Sequence, residues 1–188
     1  MKKKDETGNE KKHNPVMIRD ANKKDLDGII EVENACFPEG IRYSREKIAS
    51  RLNSQKDSSQ PERKYFVAEQ KGKIIGYGEV SLQHPEMTLF GNISVVEKNI
   101  GKIDDVIGAL ISTGVHPSHQ GKGIGSLILE KRLEYLKSKG IRQVFTHAWP
   151  NGGFIRLASK FGFKEIREWK GLAYCDGTKA ILFYKSLS

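Results

Sequence analysis

The chain has 188 residues, a formal net charge of +9, 37% hydrophobic residues and 29% charged residues. This length suits one domain, and the composition excludes a wholly disordered or collagen-like chain. No stretch approaches the roughly 18 to 20 apolar residues that span a bilayer, and no apolar segment follows the basic first residues as in an export signal. We therefore expect a disordered charged tail over residues 1–14 and a single domain over residues 15–188, with no membrane partner.

The two cysteines of the chain, Cys36 and Cys175, are far apart and form no C-x-x-C pair. This usage suits a reducing compartment and offers no zinc framework. His116 and His119 have a ligand-like spacing, but no acidic or thiol side chain accompanies them. The sequence therefore predicts a cytoplasmic protein without a metal site.

The positive charge is concentrated in the C-terminal part of the chain. Residues 1–115 hold 19 basic and 18 acidic side chains, whereas residues 116–188 hold 13 basic and 5 acidic ones. Residues 20–39, in contrast, contain six acidic side chains against Lys23 and Lys24. The sequence therefore predicts two surfaces of opposite charge. The basic one suits a nucleic acid, an anionic membrane or an anionic small molecule.

The first half of the chain alternates predicted strands with two amphipathic helices. Apolar periodicity and turn residues predict a strand over 16–19, a helix from Leu26 to Phe37, a helix from Ser44 to Asn53, and a hairpin of strands over 65–68 and 74–82. The pattern weakens over residues 84–105. We interpret this segment as an insertion with an extra strand near Ile93 to Val96.

The second half contains the clearest unit, an apolar strand followed by a glycine-rich turn and a helix. The predicted elements are a strand over 106–115, a helix through Ile124 and Leu136 that ends at Gly140, a strand over 141–148, a short helix over 153–161, and a closing pair of strands over 163–170 and 180–186. No internal repeat is visible.

The glycine-rich turn VHPSHQGKGIGS, residues 115–126, joins that strand to that helix. Free backbone amides and the positive end of the helix dipole bind phosphate at such turns. The turn departs from the P-loop because Lys122 is followed by Gly123, and from the dinucleotide fingerprint because Ser126 stands where a third glycine is required. The turn therefore indicates an anion site of another kind.

The residues match a different pattern, Q-x-x-G-x-G, formed by Gln120, Gly123 and Gly125. A second motif follows with Asn151 and the run KFGF at residues 160–163. In this order the two motifs resemble those of the GNAT N-acetyltransferase superfamily, over roughly residues 16–188. The resemblance implies an α/β (α+β) fold with a mixed, mostly antiparallel central sheet of six to seven strands and about four flanking helices.

The resemblance also implies that acetyl-CoA is the cosubstrate. Its diphosphate would lie on the turn, and its pantetheine arm would follow the preceding strand where two strands splay apart. The implied contacts are Thr113, Gly114, Val115, Gln120, Gly121, Lys122, Gly123, Ile124, Gly125 and Ser126. Asn151 matches a family residue near the sulfur end of the cofactor, and capping of the following helix explains it equally well.

Proton carriers are harder to assign. Ribosomal-protein alanine acetyltransferases, a branch of this family, carry a Glu and a Tyr at the positions that here hold Thr146 and Ala158. Glu79, His147 and Tyr174 are the substitutes that the sequence offers. Each also has a structural explanation, as an exposed strand residue, a strand residue on the face opposite Thr146, and a loop residue that packs on the surface.

We therefore expect an N-acetyltransferase in which a primary amine attacks acetyl-CoA directly in a ternary complex. By resemblance, the first two helices form the acceptor side, and the acidic residues 20–39 favour a cationic protein, peptide or polyamine-like acceptor. A non-catalytic acyl-CoA sensor of the same fold is one alternative. A nucleic-acid-binding module is the weaker one, because no reading motif accompanies the charge. The sequence leaves a homodimer open.

Overall fold

A computed structural model describes residues 15–53, 61–89, 92–150, 152–166 and 179–187. Within these ranges the strands are β1 (Met17–Asp20), β2 (Glu62–Gln70), β3 (Lys73–Gln83), β4 (Ile107–Val115), β5 (Gln143–Ala148), β6 (Lys164–Ile166) and β7 (Ile181–Ser186). The helices are α1 (Leu26–Cys36), α2 (Arg45–Asn53), α3 (Glu86–Leu89), α4 (Ile93–Ile100), α5 (Ile124–Ser138) and α6 (Phe154–Lys160).

The seven described strands form one sheet in the order β1-β2-β3-β4-β5-β7-β6. Neighbouring strands are antiparallel except for β4 and β5. The connection between this parallel pair crosses over through α5, as parallel pairing requires. The predicted fold class is confirmed, and the two helices beyond the predicted four are α3 and α4.

Helices cover both faces of the sheet. On β5, Val144 lies in a cluster with residues of α5 and α6, whereas the next residue, Phe145, packs with Leu89 of α3 and Val96 of α4. Because successive strand residues point to opposite faces, α5 and α6 lie on one side and α3 and α4 on the other. Helices α1 and α2 share the second side, where they cover Tyr77 of β3.

The predicted strand near Ile93 to Val96 is wrong, because these residues belong to α4. The β-branched side chains of this run favour a strand by propensity. The spacing of Ile93, Val96 and Ile100 instead places all three on one helix face, which packs in the cluster around Phe145. Burial of that face outweighs the propensity of its members.

Helix α5 lies directly on β3 because this strand has glycines where the helix crosses it. A Cβ on Gly78 would lie 2.5 Å from Cγ2 of Ile128 and 2.9 Å from Cδ of Arg132. A Cβ on Gly76 would lie 3.1 Å from Cδ1 of Ile128. Larger residues would push α5 away from the sheet, together with the turn that precedes it.

Candidate active site

Strands β4 and β5 pair along only a short segment and then separate. Their ladder joins Gly108–Leu110 to Val144–Thr146, whereas β4 stays paired with β3 to its end. The β3–β4 register shifts by one residue, which leaves Ile111 as a bulge directly after the last residue paired with β5. A bulge bends its strand. Beyond Ile111, the edge of β4 therefore faces an open cleft between the two strands.

The backbone amides of Thr113 and Val115 face this cleft. The amide of His116 donates to the carbonyl of Ile75 in β3 at 2.9 Å. Because alternate residues of a strand direct their amides to opposite sides, residues 113 and 115 direct theirs away from β3. An extended ligand can therefore pair with this edge of β4 as an additional strand would.

Two of the predicted contact residues hold the end of β4 in place. The side-chain amide of Gln120 donates to the carbonyl of Val115 at 2.9 Å, and the thiol of Cys36 donates to the same oxygen at 3.2 Å. A Cβ on Gly114 would lie 3.0 Å from Cε1 of Tyr77 and 3.0 Å from Cγ1 of Val32 in α1, so this glycine lets α1 pack closely on the sheet. Direct ligand contacts of Gln120 and Gly114 stay predictions.

The glycine-rich turn between β4 and α5 presents a row of backbone amides. Gly121 and Gly123 have φ angles of 76° and 81°, a conformation that residues with side chains disfavour. Within the described part of the chain, the amides of residues 121–125 donate no hydrogen bond. They lie at the N-terminal end of α5, where the helix dipole is positive. Such a row of amides fits a diphosphate.

The charges around the turn favour an anion as well. Residues 106–129 contain no acidic side chain, and Lys122 lies in the turn itself. Lys160, at the end of α6, places its Nζ 3.4 Å from Oγ of Ser126. Two cations therefore flank the row of amides with no carboxylate from this segment to neutralise them.

Ile124 and Gly125 are the first two residues of α5, and they differ in the space around their side-chain positions. The side chain of Ile124 is buried beside Ala68 and Ile75, so only its amide can contact a ligand. A Cβ on Gly125 would meet Cδ1 of Leu157 at 3.5 Å, an ordinary packing distance. Gly125 therefore has room for a side chain without backbone strain.

Glu79 is completely buried, which excludes the exposed strand position considered from the sequence. Its carboxylate accepts hydrogen bonds from Arg51 at 2.8 Å, Arg63 at 2.6 Å and the Tyr65 hydroxyl at 2.8 Å. Two guanidinium groups and a phenol therefore hold the carboxylate in place. Its role as a proton acceptor stays a prediction, and the contacts give it a structural role in any case.

His147 lies on β5 one residue beyond the segment paired with β4, and strand alternation turns it away from the side of Thr146. Burial lowers the pKa of His147 to about 4, so its imidazole is neutral at pH 7 and weakly basic. The Thr146 hydroxyl donates to the carbonyl of Leu110 at 3.0 Å, and Ala158 is buried in the core. The role of His147 stays a prediction.

Two further predicted residues, Asn151 and Tyr174, lie outside the described residues. Their assignments as a cofactor contact and a proton carrier stay predictions. Cys175 lies in the same undescribed segment as Tyr174.

The acidic surface predicted over residues 20–39 is largely neutralised, and in that form the prediction is wrong. Three of its six carboxylates pair with cations outside residues 20–39: Asp20 with Lys64, Asp25 with Arg19, and Asp27 with Arg45. Glu33 is only 1% exposed. Glu31 and Glu39 are exposed and have no ion pair among the described residues. Counting charges within residues 20–39 missed these cations because Arg19 lies just before that range and Arg45 and Lys64 lie after it.

A polar cluster on the α1 side of the cleft has no counterpart in the sequence analysis. The Tyr77 hydroxyl contacts both the Glu33 carboxylate and, at 2.8 Å, the hydroxyl of Ser112 in β4. One signal was available, since Glu33 stands four residues from both Ile29 and Phe37 on the apolar stripe of α1. A carboxylate on such a stripe requires buried partners.

A sequence model described as the acetyltransferase (GNAT) family matches residues 26–163. The chain belongs to this family. A mycothiol acetyltransferase of Amycolatopsis mediterranei is 28% identical over 100 residues, which are 53% of this GNAT chain and 29% of that relative. An N-alpha-acetyltransferase of Sulfurisphaera tokodaii is 26% identical over 174 residues, which are 92% of this chain and 93% of the relative.

The fold of this GNAT domain also matches solved structures. Arabidopsis thaliana NAA60 in complex with acetyl-CoA has a TM-score of 0.72 at 17% identity, over 92% of this chain and 99% of that one. Among the helices that the structure describes here, none is both long and apolar enough to cross a membrane.

Proposed function

We propose that this GNAT domain is an acetyl-CoA-dependent N-acetyltransferase that acts on a primary amine of a protein, a peptide or a small cationic molecule. The observation that carries the proposal is the row of amides over residues 121–125, which donate no hydrogen bond to any described residue and lie at the end of a strand whose edge is open. The diphosphate of acetyl-CoA suits the row, and the amide-containing pantetheine arm suits the edge at Thr113 and Val115. Asn151, Lys122 and Ser126 complete the proposed cofactor site.

For acetyl transfer, the protein mainly has to position the amine and the thioester and to stabilise the oxyanion. The neutral amine attacks the thioester carbon, and a cleft-facing amide of β4, at Thr113 or Val115, stabilises the oxyanion. The thiolate leaves without a dedicated acid, because the pKa of a thiol is about 8.5. Transfer in a ternary complex therefore needs no covalent intermediate on Cys36 or Cys175.

The acceptor is proposed to be cationic or to carry an α-amino group. An α-amino group has a pKa near 8, against about 10.4 for a lysine side chain, so more of it is neutral and reactive at pH 7. The relative from Sulfurisphaera tokodaii bears the name of an N-alpha-acetyltransferase. Glu31 and Glu39 are exposed on the acceptor side without an ion pair among the described residues, and they give only a weak and salt-sensitive preference for cations.

The proposed compartment is the cytoplasm, since two cysteines without a C-x-x-C pair suit reducing conditions. A homodimer stays open. The proposed reaction depends neither on the compartment nor on the oligomeric state.

The decisive experiment is a thiol-release assay with acetyl-CoA and a panel of amines. The panel contains an alanine-initiated basic peptide, the same peptide with a blocked N-terminus and a free lysine, spermidine, and an anionic amino acid. We expect the fastest release with the free N-terminus or with spermidine. The best turnover with the anionic amino acid would contradict the cationic acceptor.

An acyl-CoA sensor is the second candidate, and one observation favours it. Thr146 and Ala158 occupy the positions where a related branch has its proton carriers, and both are buried. The Thr146 hydroxyl donates to a backbone carbonyl, and Ala158 packs in the core. Tight binding of acetyl-CoA by calorimetry, with no thiol release for any amine in the panel, would replace the enzyme with the sensor.

A further inference from the structure

Glu33 is a carboxyl group that lies buried in the core. One carboxylate oxygen accepts the amide of Tyr43 at 2.7 Å, and the other accepts the hydroxyl of Tyr77. Among the described residues it forms no ion pair. Burying a charge in this way is costly, and an apolar side chain on this face of α1 would cost less. The position therefore calls for a reason other than stability.

The hydrogen bonds give the cluster a direction. A phenol has one proton, and Tyr77 directs it to Glu33. The contact of 2.8 Å between Tyr77 and Ser112 must then use the proton of Ser112, which leaves the lone pairs of the serine oxygen to accept another donor. Each hydroxyl thus donates toward the carboxylate, from Ser112 through Tyr77 to Glu33.

The outer end of this chain lies where the reaction would occur. Tyr77 and Glu33 are buried, whereas Ser112 is only half-buried. Ser112 directly follows the bulge at Ile111, where β4 leaves β5. Its contact with Tyr77 places its side chain on the α1 side, which is the proposed acceptor side of the cleft.

We propose that Ser112, Tyr77 and Glu33 form a proton relay that accepts the proton of the attacking amine. This inference rests on the proposed acetyl transfer. As the carbon–nitrogen bond forms and the carbon–sulfur bond breaks, the amine proton passes to the Ser112 oxygen. The serine proton passes to Tyr77, and the tyrosine proton passes to Glu33. The thiolate leaves as an anion, and the relay resets when Glu33 returns a proton to solvent by the same path.

The surroundings of Glu33 make it a stronger base than an exposed carboxylate. Burial raises the pKa of Glu33 above its ordinary value, and the hydrogen bonds from Tyr77 and the Tyr43 amide oppose the rise. Glu79 adds a smaller upward effect, and Arg42 adds a smaller downward one. Cys36 faces the same carboxylate, and burial raises the pKa of its thiol, so this group stays neutral.

The variant Glu33→Gln tests the relay without breaking its hydrogen bonds. The glutamine oxygen can accept the Tyr43 amide, and its amide nitrogen can donate to Tyr77, which then donates to Ser112. Every partner is kept, but the direction of the chain is reversed and no base remains. The raised pKa also means that ionised Glu33 costs folding stability as pH rises through that pKa, so the variant should remain folded at pH 7.

We expect Glu33→Gln and Ser112→Ala to lower kcat by about 100-fold, the lower end of what a general base contributes. The substrates are acetyl-CoA and the alanine-initiated basic peptide. Acetyl-CoA affinity, measured by calorimetry, should stay within about twofold, and the loss of rate should shrink from about pH 6 to 9 as more amine is neutral. The acidic limb of the pH–rate profile should therefore be steeper in Glu33→Gln than in the wild type, because the variant depends more strongly on the amine being neutral.

Ser81→Ala is the matched control, because it removes a buried hydroxyl from the same face of β3 and contacts Gln83 instead of the relay. Its kcat should equal that of the wild type. Unchanged rates in Glu33→Gln, or losses that do not depend on pH and accompany weaker acetyl-CoA binding, would overturn the relay alone. A wild type that binds acetyl-CoA but acetylates no amine would overturn both the relay and the proposed function.

Discussion

At the residue scale, Glu79 was predicted to carry a proton, and in the structure it forms buried ion pairs with two arginines. Its two guanidinium partners, Arg51 and Arg63, are partly exposed, but the carboxylate itself is not. Removing one member of a buried pair leaves charges without compensation. The residue is therefore expected to show its importance in stability rather than in proton transfer.

We predict that Glu79→Gln lowers the free energy of unfolding by about 3 kcal/mol, because Arg51 and Arg63 lose their anion. Urea unfolding measures this change. The control is Asp27→Asn, which removes the well-exposed pair with Arg45 and should cost less than about 1 kcal/mol. A stable Glu79→Gln protein whose kcat alone falls, more at low pH than at high pH, would restore Glu79 as the base.

Gly125 tests the cofactor turn because it has room for a side chain. We predict that Gly125→Glu weakens acetyl-CoA binding at least tenfold more than Gly125→Gln, or about 1.4 kcal/mol, because only the glutamate places a negative charge at the start of α5 beside the phosphates. Calorimetry measures both affinities, and urea unfolding checks that both variants fold. Equal affinities in the two variants would place the diphosphate elsewhere.

At the scale of elements, the bulge in β4 shapes one wall of the cleft, and the helices α3 and α4 support β5, the strand on the other wall. The bulge frees the edge of β4, and the two helices bury Phe145 of β5 through Leu89 and Val96. The helices thus support the arm of the sheet that separates from β4. Mutations that weaken the packing of α3 and α4 should therefore lower the stability of the fold more than they weaken cofactor binding.

We predict that Leu89→Ala, a fully buried position in α3, lowers the free energy of unfolding by about 2 to 4 kcal/mol, through lost burial and a residual cavity. Met87→Ala is the control in the same helix, because Met87 is 51% exposed and should change stability by less than about 0.5 kcal/mol. Thermal or urea unfolding measures both. Equal effects would mean that α3 does not pack as described.

At the scale of the whole molecule, the basic C-terminal part and the position of the turn imply that electrostatics helps acetyl-CoA to bind. We predict that its affinity falls roughly tenfold from about 50 to 500 mM NaCl, because salt screens exposed charges. Dephospho-CoA, which lacks the 3′-phosphate, should show a shallower dependence. Titration calorimetry at several salt concentrations compares the two ligands, and identical slopes would argue against a role for the surplus charge.

The sequence by itself determined the parts of the site that lie close together along the chain. The strand, the glycine-rich turn and α5 occupy one continuous stretch, and the Q-x-x-G-x-G spacing of the turn can be read along the chain. Predicted elements outside residues 84–105 correspond to observed ones for the same reason. The segment that became α3 and α4 was misread because burial against β5, which no local propensity contains, outweighed its β-branched residues.

Only the tertiary structure decided which polar groups meet. Tyr77 is 44 residues from Glu33 and 35 residues from Ser112 along the chain, and Lys64, which pairs with Asp20, is also distant in sequence from its partner. The bulge at Ile111 depends on the register between β3 and β4, which the alternation of side chains alone does not specify. Hydrogen bonds and ion pairs act over a few ångströms in space. Their partners are therefore set by how helices and strands pack, and not by the order of residues.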